Sequence, residues 1–288
     1  MARRLLPFLL IAPLFLLMLI WILFPFAYVI IISFFNWQPA AAPELGWRFV
    51  GISNFVRAFY DERFINSLLN TGFYVFFCLS LELLLGLAIA LILSGEMMGV
   101  SVIRVLLTLP FIVSPIVAGF AWRLLFYAQK GPINYILNCM HLQQIPWLTQ
   151  PPFPLFAVAI CDIWQWTPFV ALCLLAGISS IPKEMKEAAT VDGLTDWQTF
   201  RYITLPAITP VMIVVMILRF IDLVKIFDVI FVMTQGGPGT CTESVTGYIY
   251  ILGFKNFDMG YAAATSLIIL IIVMVVAMIT VRRFFREG

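Results

Sequence analysis

The sequence predicts an all-α integral membrane protein with six transmembrane helices. Three observations carry that expectation. Of 288 residues, 62% are hydrophobic and only 11% charged, whereas soluble domains run about 45–50% apolar and about 25% charged. Six runs reach the roughly 20 apolar residues a helix needs to cross the hydrocarbon core. These runs lack the period-2 alternation of a β-barrel strand. A water-soluble domain is thereby excluded, as is a disordered chain, which needs low hydrophobicity and high net charge. The net charge of +2 is too small to suggest a polyanionic partner. One histidine, His141, leaves no material for a His-based metal cluster or several-histidine catalytic arrangement.

The six spans are expected at Leu5–Phe35, Thr71–Leu93, Val102–Tyr127, Pro154–Ile178, Ala207–Met233 and Ala262–Val281. The first has the look of a signal peptide, with Arg3 and Arg4, an apolar run and the small-residue stretch Ala40–Ala42. A signal core is about 7–15 residues, however, and this run is near twice that, so it reads as a retained helix. Pro110, Pro115 and Pro168 lie in or at the start of spans, where they can kink helices and free carbonyls. Lys and Arg set the orientation. With both termini in the cytoplasm the inside holds nine (Arg3, Arg4, Arg104, Lys183, Lys186, Arg201, Arg282, Arg283 and Arg286). The outside then holds five (Arg48, Arg57, Arg63, Lys130 and Lys255), and Arg123, Arg219 and Lys225 fall within or at the edge of spans. The outer loop cysteines, Cys139 and Cys241, read as unpaired, and no CxxC-type metal spacing occurs.

One inner loop is long: residues 179–206. Pro182 suits the first turn of a helix, Gly193 permits a turn, and Thr195 with Gln198 has the spacing of a capping box. Pro206 then ends the second helix and re-enters the membrane. The loop reads as helix–turn–helix. Its acids Glu184, Glu187, Asp192 and Asp196 outnumber Lys183, Lys186 and Arg201, so it is no nucleic-acid reader. Met185, Ala188, Ala189, Leu194, Trp197 and Phe200 give it the apolar face of a docking surface rather than of a solvated linker.

Charges inside spans usually face a bundle interior or a water-filled cavity. In the fifth span Arg219, Asp222, Lys225 and Asp228 recur every three residues, and Arg219, Asp222, Leu223 and Ile226 share one helical face. In the fourth, Asp162, Gln165, Trp166 and Phe169 follow the same rule. Both stripes are candidates to line a pathway; for Lys225 and Asp228 an internal ion-pair ladder is an equal reading. Glu82, the acid of the second span, reads equally as lining a cavity or as paired with a neighbouring helix. Trp122, Phe126 and Tyr127 fit either a gate or interfacial anchors.

Glu187-Ala188-Ala189, three residues, Gly193, nine residues, Ile203, one residue, Leu205-Pro206 is similar to the EAA signature of ABC-importer permeases. Phe49-Val50-Gly51 with Asn54-Phe55, Asn70-Thr71, Gly86-Leu87-Ala88, Leu109-Pro110, Trp122, Gly131 to Asn134-Tyr135, Phe227-Asp228, Thr234 to Gly239 and Gly260-Tyr261-Ala262-Ala263-Ala264 resemble the carbohydrate-uptake branch. The Gly236-Gly237-Pro238 feature resembles the F-like rather than the G-like partner of a maltose-type pair.

That resemblance implies a single permease domain over 1–288 with the type I importer (MetI-like) fold and an inner-membrane location. The loop becomes a coupling helix for a cytoplasmic ATPase, with Glu187, Ala188, Ala189, Gly193, Met185 and Leu194 at the contact. The implied partners are a second homologous permease, two ABC ATPases, an external solute-binding protein, membrane lipid and a sugar held between the two stripes, with no nucleic acid. No GxxxxGK[ST] loop occurs, so this chain binds no cofactor and ATP and Mg belong to the ATPase. Carboxylates, amides and aromatic faces suit sugar hydroxyls and C–H faces. The substrate expected first is a neutral di- or oligosaccharide; Arg219 leaves room for a glycerol-phosphate-like or acidic sugar. A secondary transporter is disfavoured because the two halves show no inverted repeat. A membrane enzyme is disfavoured by the lack of a nucleophile–base or metal constellation.

Overall fold

The computed structural model describes residues 11–40, 46–95, 99–128 and 130–285, without the side chains of Lys186, Phe284 and Phe285. Arg3, Arg4, Arg286, Ala41, Ala42 and the start of the first expected span lie outside the described residues. In chain order the elements are α1 (Ile11–Ile32), β1 (Phe35–Asn36), β2 (Arg48–Phe49), α2 (Ser53–Tyr60), α3 (Glu62–Leu93), α4 (Val100–Ile112), α5 (Pro115–Leu125) and α6 (Pro132–Cys139). There follow α7 (Phe153–Ser179), α8 (Lys183–Val191), α9 (Asp196–Val224), α10 (Asp228–Met233), α11 (Val245–Tyr250, continuing through Ile251–Lys255 with wider turns) and α12 (Met259–Phe285). Among the described residues five helices are long and apolar enough to cross a membrane, α1, α3, α7, α9 and α12, and α4 with α5 makes a sixth if the bent pair counts as one span.

Four expectations need correction. The third span is not one helix: α4 and α5 meet at 93°. Val113 and Ser114 are extended (ψ 134° and 137°) because Pro115 disfavours the helical region for the residue before it and supplies no N–H. The fifth span stops at Val224, and Asp228–Met233 forms a separate short helix, so the ladder from Arg219 to Asp228 does not run along one rod. Pro206 does not end a helix. The Leu205 N–H reaches back to the Phe200 carbonyl, and this wide turn absorbs a residue that cannot serve as an ordinary helix donor. The inner loop's second helix therefore runs without a stop into the fifth span. The second helix also begins at Glu62, nine residues ahead of the expected Thr71.

The chain divides into two compact units. The first comprises the described residues up to Ile65 with Tyr248–Ile272. Its β1–β2 pair is antiparallel, Phe35 opposite Phe49, and Trp37 and Trp47 pack at 5.3 Å between ring centres. Asn54 donates to the carbonyls of Ser33 (2.9 Å) and Phe35 (3.0 Å), fixing α2 against the end of α1. Gly260 admits the Phe35 carbonyl, which a Cβ would strike. Asp61 caps α3, accepting from the N–H groups of Arg63 (3.0 Å) and Phe64 (3.2 Å) through one oxygen and from Tyr248 (2.5 Å) and Tyr261 (2.7 Å) through the other. Arg57 lies over the Tyr261 ring at 3.9 Å and bonds Asp258 at 2.8 Å.

The second unit comprises Asn66–Gly247 and the described residues from Val273. Its centre is α7, flanked by α3, α4 and α9. Gly86 of α3 faces Val170, where a Cβ would come within 2.7 Å of a methyl group; Gly177 of α7 faces Val211 of α9. Small residues at these crossings let backbones approach, which is how membrane helices gain packing energy without a hydrophobic drive. Two buried clusters result, one around Tyr74, Ala157, Val158, Leu223 and Val229, the other around Ala90, Val170, Leu174, Ile178 and Ile208.

Gly86→Leu is expected to force α3 from α7 and lower the unfolding midpoint of the detergent-purified protein more than the same change at Gly72, where nothing lies within 4 Å. A second expectation concerns acid. Burial alone would raise the Asp61 carboxyl, but hydrogen bonds from Tyr248, Tyr261, Phe64 and Arg63 outweigh it and hold the pKa below the ordinary value. The folded state therefore binds this proton less readily than the unfolded one, and Asp61 contributes stability above pH of about 4 that is lost as pH falls through its folded pKa. Thermal midpoints measured from pH 7 to 3 are expected to drop for the native protein and to show less of that drop for Asp61→Asn.

Candidate functional site

The second unit buries three charged side chains together. Arg219 on α9 is 1% exposed, Glu82 on α3 0% and Asp162 on α7 4%. The Arg219 Nε donates to Glu82 Oε2 (2.7 Å) and its NH2 group to both Glu82 Oε1 (2.8 Å) and Asp162 Oδ2 (2.7 Å). The Glu82 contact is a fork-to-fork pair. The guanidinium also lies 4.6 Å from the Trp166 ring centre, within cation–π range. Of the two readings of Glu82, the structure gives pairing with a neighbouring helix. Asp222, one turn from Arg219 in the same stripe, lies instead beside Lys225 at 3.3 Å in a half-exposed pair.

The rest of the fourth-span stripe gathers at the same level. Gln165 is fully buried and its amide donates to the Val113 carbonyl at 2.7 Å, filling the acceptor freed by the α4–α5 break. Trp166 and Phe169 both meet Phe111 of α4, at 6.1 and 5.8 Å. A cavity of about 210 Å³ opens here, lined by Pro115, Trp166, Arg219, Asp222, Lys225, Ile226, Phe227, Asp228 and Val229. The structure thus brings Trp166, Arg219, Asp222 and Ile226 to one cavity, together with Lys225 and Asp228. Leu223 instead belongs to the packed core. Phe126 is also core, 2% exposed against Trp147, and Trp122 packs on Trp164 at 5.8 Å. Pro115, expected from the sequence to kink its span and free carbonyls, does so and lines the cavity; the Val113 carbonyl it exposes is a site element the sequence did not single out.

The loop at 183–204 folds as its sequence implies. Pro182 precedes α8, Gly193 has φ +73°, and Thr195 and Gln198 cap each other reciprocally (2.9 and 3.3 Å). Glu187 and Ala188 are exposed, Ala189 is buried and Leu194 half-buried. Met185, Val191, Trp197 and Tyr202 are exposed, Val191 by 87%. The described residues hold no group of His, Cys, Asp and Glu fit to bind a metal. Cys139 and Cys241 are free thiols.

Residues 58–286 match the family described as binding-protein-dependent transport system inner membrane component. The chain belongs to this family. The trehalose/maltose transport system permease protein MalF of Thermococcus litoralis is 37% identical over 244 residues, 83% of this chain and 81% of that one. The trehalose transport system permease protein SugA of Mycobacterium tuberculosis is 32% identical over 284 residues, 99% and 90% of the two chains. The crystal structure of a bacterial alginate ABC transporter in complex with alginate pentasaccharide-bound periplasmic protein matches with a TM-score of 0.83 at 24% identity, over 98% of this chain and 95% of that one. At that identity the likeness speaks for the fold, the type I importer permease fold. The protein is a multi-pass inner-membrane permease subunit of a binding-protein-dependent ABC importer, a transport component rather than an enzyme.

Arg219→Met strands two buried carboxylates and is expected to destabilise the permease by about 3–5 kcal/mol. Glu82→Gln, which leaves one guanidinium facing one carboxylate, is expected to cost less. Denaturant midpoints in detergent compare the two.

Proposed function

We propose that this permease forms one half of the translocation pathway for a sugar, a neutral di- or oligosaccharide, and is driven by ATP hydrolysed on separate subunits. The observation that carries the reading is the cavity lined by Trp166, where the indole ring adjoins the Asp222 and Asp228 carboxylates and the Lys225 ammonium. Such a lining hydrogen-bonds hydroxyls without demanding a charged ligand. Arg219 bears on the choice between neutral and acidic substrates. Its Nε and NH2 groups bond Glu82 and Asp162, two carboxylates that already offset its single charge, which argues against an anion held by that residue. Relatives named for trehalose and maltose support a sugar. Asp162 and Gln165 act by holding Arg219 and the α4–α5 break in place, and Phe169 by supporting Trp166. Asp222, Lys225 and Asp228 face the substrate.

The partners are a second homologous permease, two ATPases and an external binding protein, with both termini in the cytoplasm. ATP with Mg sits on the ATPases. The exposed loop from Lys183 docks in an ATPase cleft. Glu187 pairs there with a basic group, Ala188 allows close approach, Gly193 makes the turn, and Met185 and Leu194 supply apolar contact. Transport needs only that ATP shift the balance between outward- and inward-open states with different sugar affinity.

Glu187→Arg and Gly193→Pro are expected to abolish uptake of labelled trehalose or maltose by the reconstituted importer while the complex remains folded, with residual ATP hydrolysis no longer stimulated by the loaded binding protein. Proline cannot adopt the positive φ at 193. Unchanged uptake by both variants would remove the coupling role.

A further inference from the structure

A second cavity lies at the far ends of α5 and α10. It measures about 410 Å³ and is lined by Arg123, Tyr127, Leu148, Thr149, Met233 and Gly237 among others. That volume falls in the range of small-molecule sites, about 300–1,000 Å³. We propose that it is an outer sugar subsite, occupied before the cavity beside Trp166; the proposal rests on the sugar-importer reading and on the orientation given with it.

The argument has three parts. The first is place. Pro115 and Asp228 line the inner cavity, Arg123 and Met233 the outer one, so the two cavities sit at opposite ends of the same helix pair. At 1.5 Å per residue they are separated by about 8–12 Å of helix, the scale of a two-ring sugar. The second is rigidity. Gly119 of α5 lies against Val229 and Val232 of α10, and one N–H of Arg123 is held by the Val232 carbonyl at 2.9 Å. The spacing of the two cavities is therefore fixed by packing. The third is chemistry. Arg123 has no carboxylate within ion-pair distance among the described residues, and no acid lines the cavity. Its remaining donors, the Tyr127 phenol and the Thr149 hydroxyl make no hydrogen bond among the described residues. Beside them lie the Tyr127 ring, Leu148 and Met233. Donors for hydroxyls with apolar area for a C–H face are the makings of a sugar site.

The test uses the assembled importer in proteoliposomes; labelling with and without sugar is compared in the absence of binding protein, and uptake is measured with it. Thr149→Cys is introduced in a Cys139→Ser/Cys241→Ser background and labelled from outside with a membrane-impermeant maleimide. Trehalose and maltose are the probes. The expected result is that a sugar the importer takes up slows labelling, that Arg123→Ala removes the protection, and that this variant raises KM for uptake about tenfold with a smaller change in kcat. A transported sugar that gives no protection overturns the proposal. Protection by the binding protein without sugar, together with an unchanged KM in Arg123→Ala, also overturns it and makes the cavity a docking pocket. Failure of the intact importer to take up any sugar overturns the importer reading itself and this proposal with it, and is told apart because it appears before any substitution is made.

Discussion

A guanidinium at the depth of Arg219 cannot remain unpaired, and the bundle is arranged around that fact. The cost of burying such a charge is several kcal/mol and is recovered only with near-ideal hydrogen bonding. Glu82 and Asp162 provide it from two other helices, so α3, α7 and α9 are held at one height and one rotation. Gly86 lies one turn along α3 from Glu82 and removes the side chain that would hold α3 away from α7. Close approach and ion pairing are thus two aspects of one crossing. Trp166 lies against the guanidinium and also lines the cavity, which joins the structural cluster to the surface proposed to meet substrate.

A second constraint governs the broken helices. In a bilayer every freed carbonyl needs a donor from the protein. Each break is met by a side chain from a neighbouring segment. Gln165 serves Val113, Ser244 serves Ile226 at 2.6 Å, and Thr246 serves Val224 at 3.2 Å. The short helices α5 and α10 that follow these breaks then pack along each other. The two cavities are by-products of that pairing, one at each end.

What the sequence disclosed follows the range of the interactions involved. The fourth span, α8, the turn at Gly193 and the Thr195–Gln198 cap rest on local periodicity and on groups three or four residues apart, and all were readable. The stripe containing Asp162, Gln165 and Trp166 was readable as polar residues on one apolar helix. Its partners were not. Glu82 and Arg219 are separated by 137 residues, and nothing in either segment names the other. The bend at Val113 and Ser114 was half-readable, since Pro115 permits a break but hydropathy runs on through it. The end of α9 at Val224 left even less trace, because Asp228–Met233 is as apolar as the span before it and carries no proline. Pro206 misled in the opposite sense: a residue that stops most helices is absorbed by one wide turn.

That wide turn has a mechanical consequence. Because α9 is unbroken from Asp196 to Val224, its exposed Trp197 end and its buried Arg219 end belong to one rod of about 44 Å. The rod is clamped near one end by two carboxylates and free to be gripped at the other. A tilt of about 5° about Arg219 displaces the Trp197 end by roughly 3 Å over an arm of about 33 Å, while the clamped end turns almost in place. The helix is a lever with an electrostatic fulcrum. Its long arm reaches the water-facing loop, and its short arm lies beside the cavity.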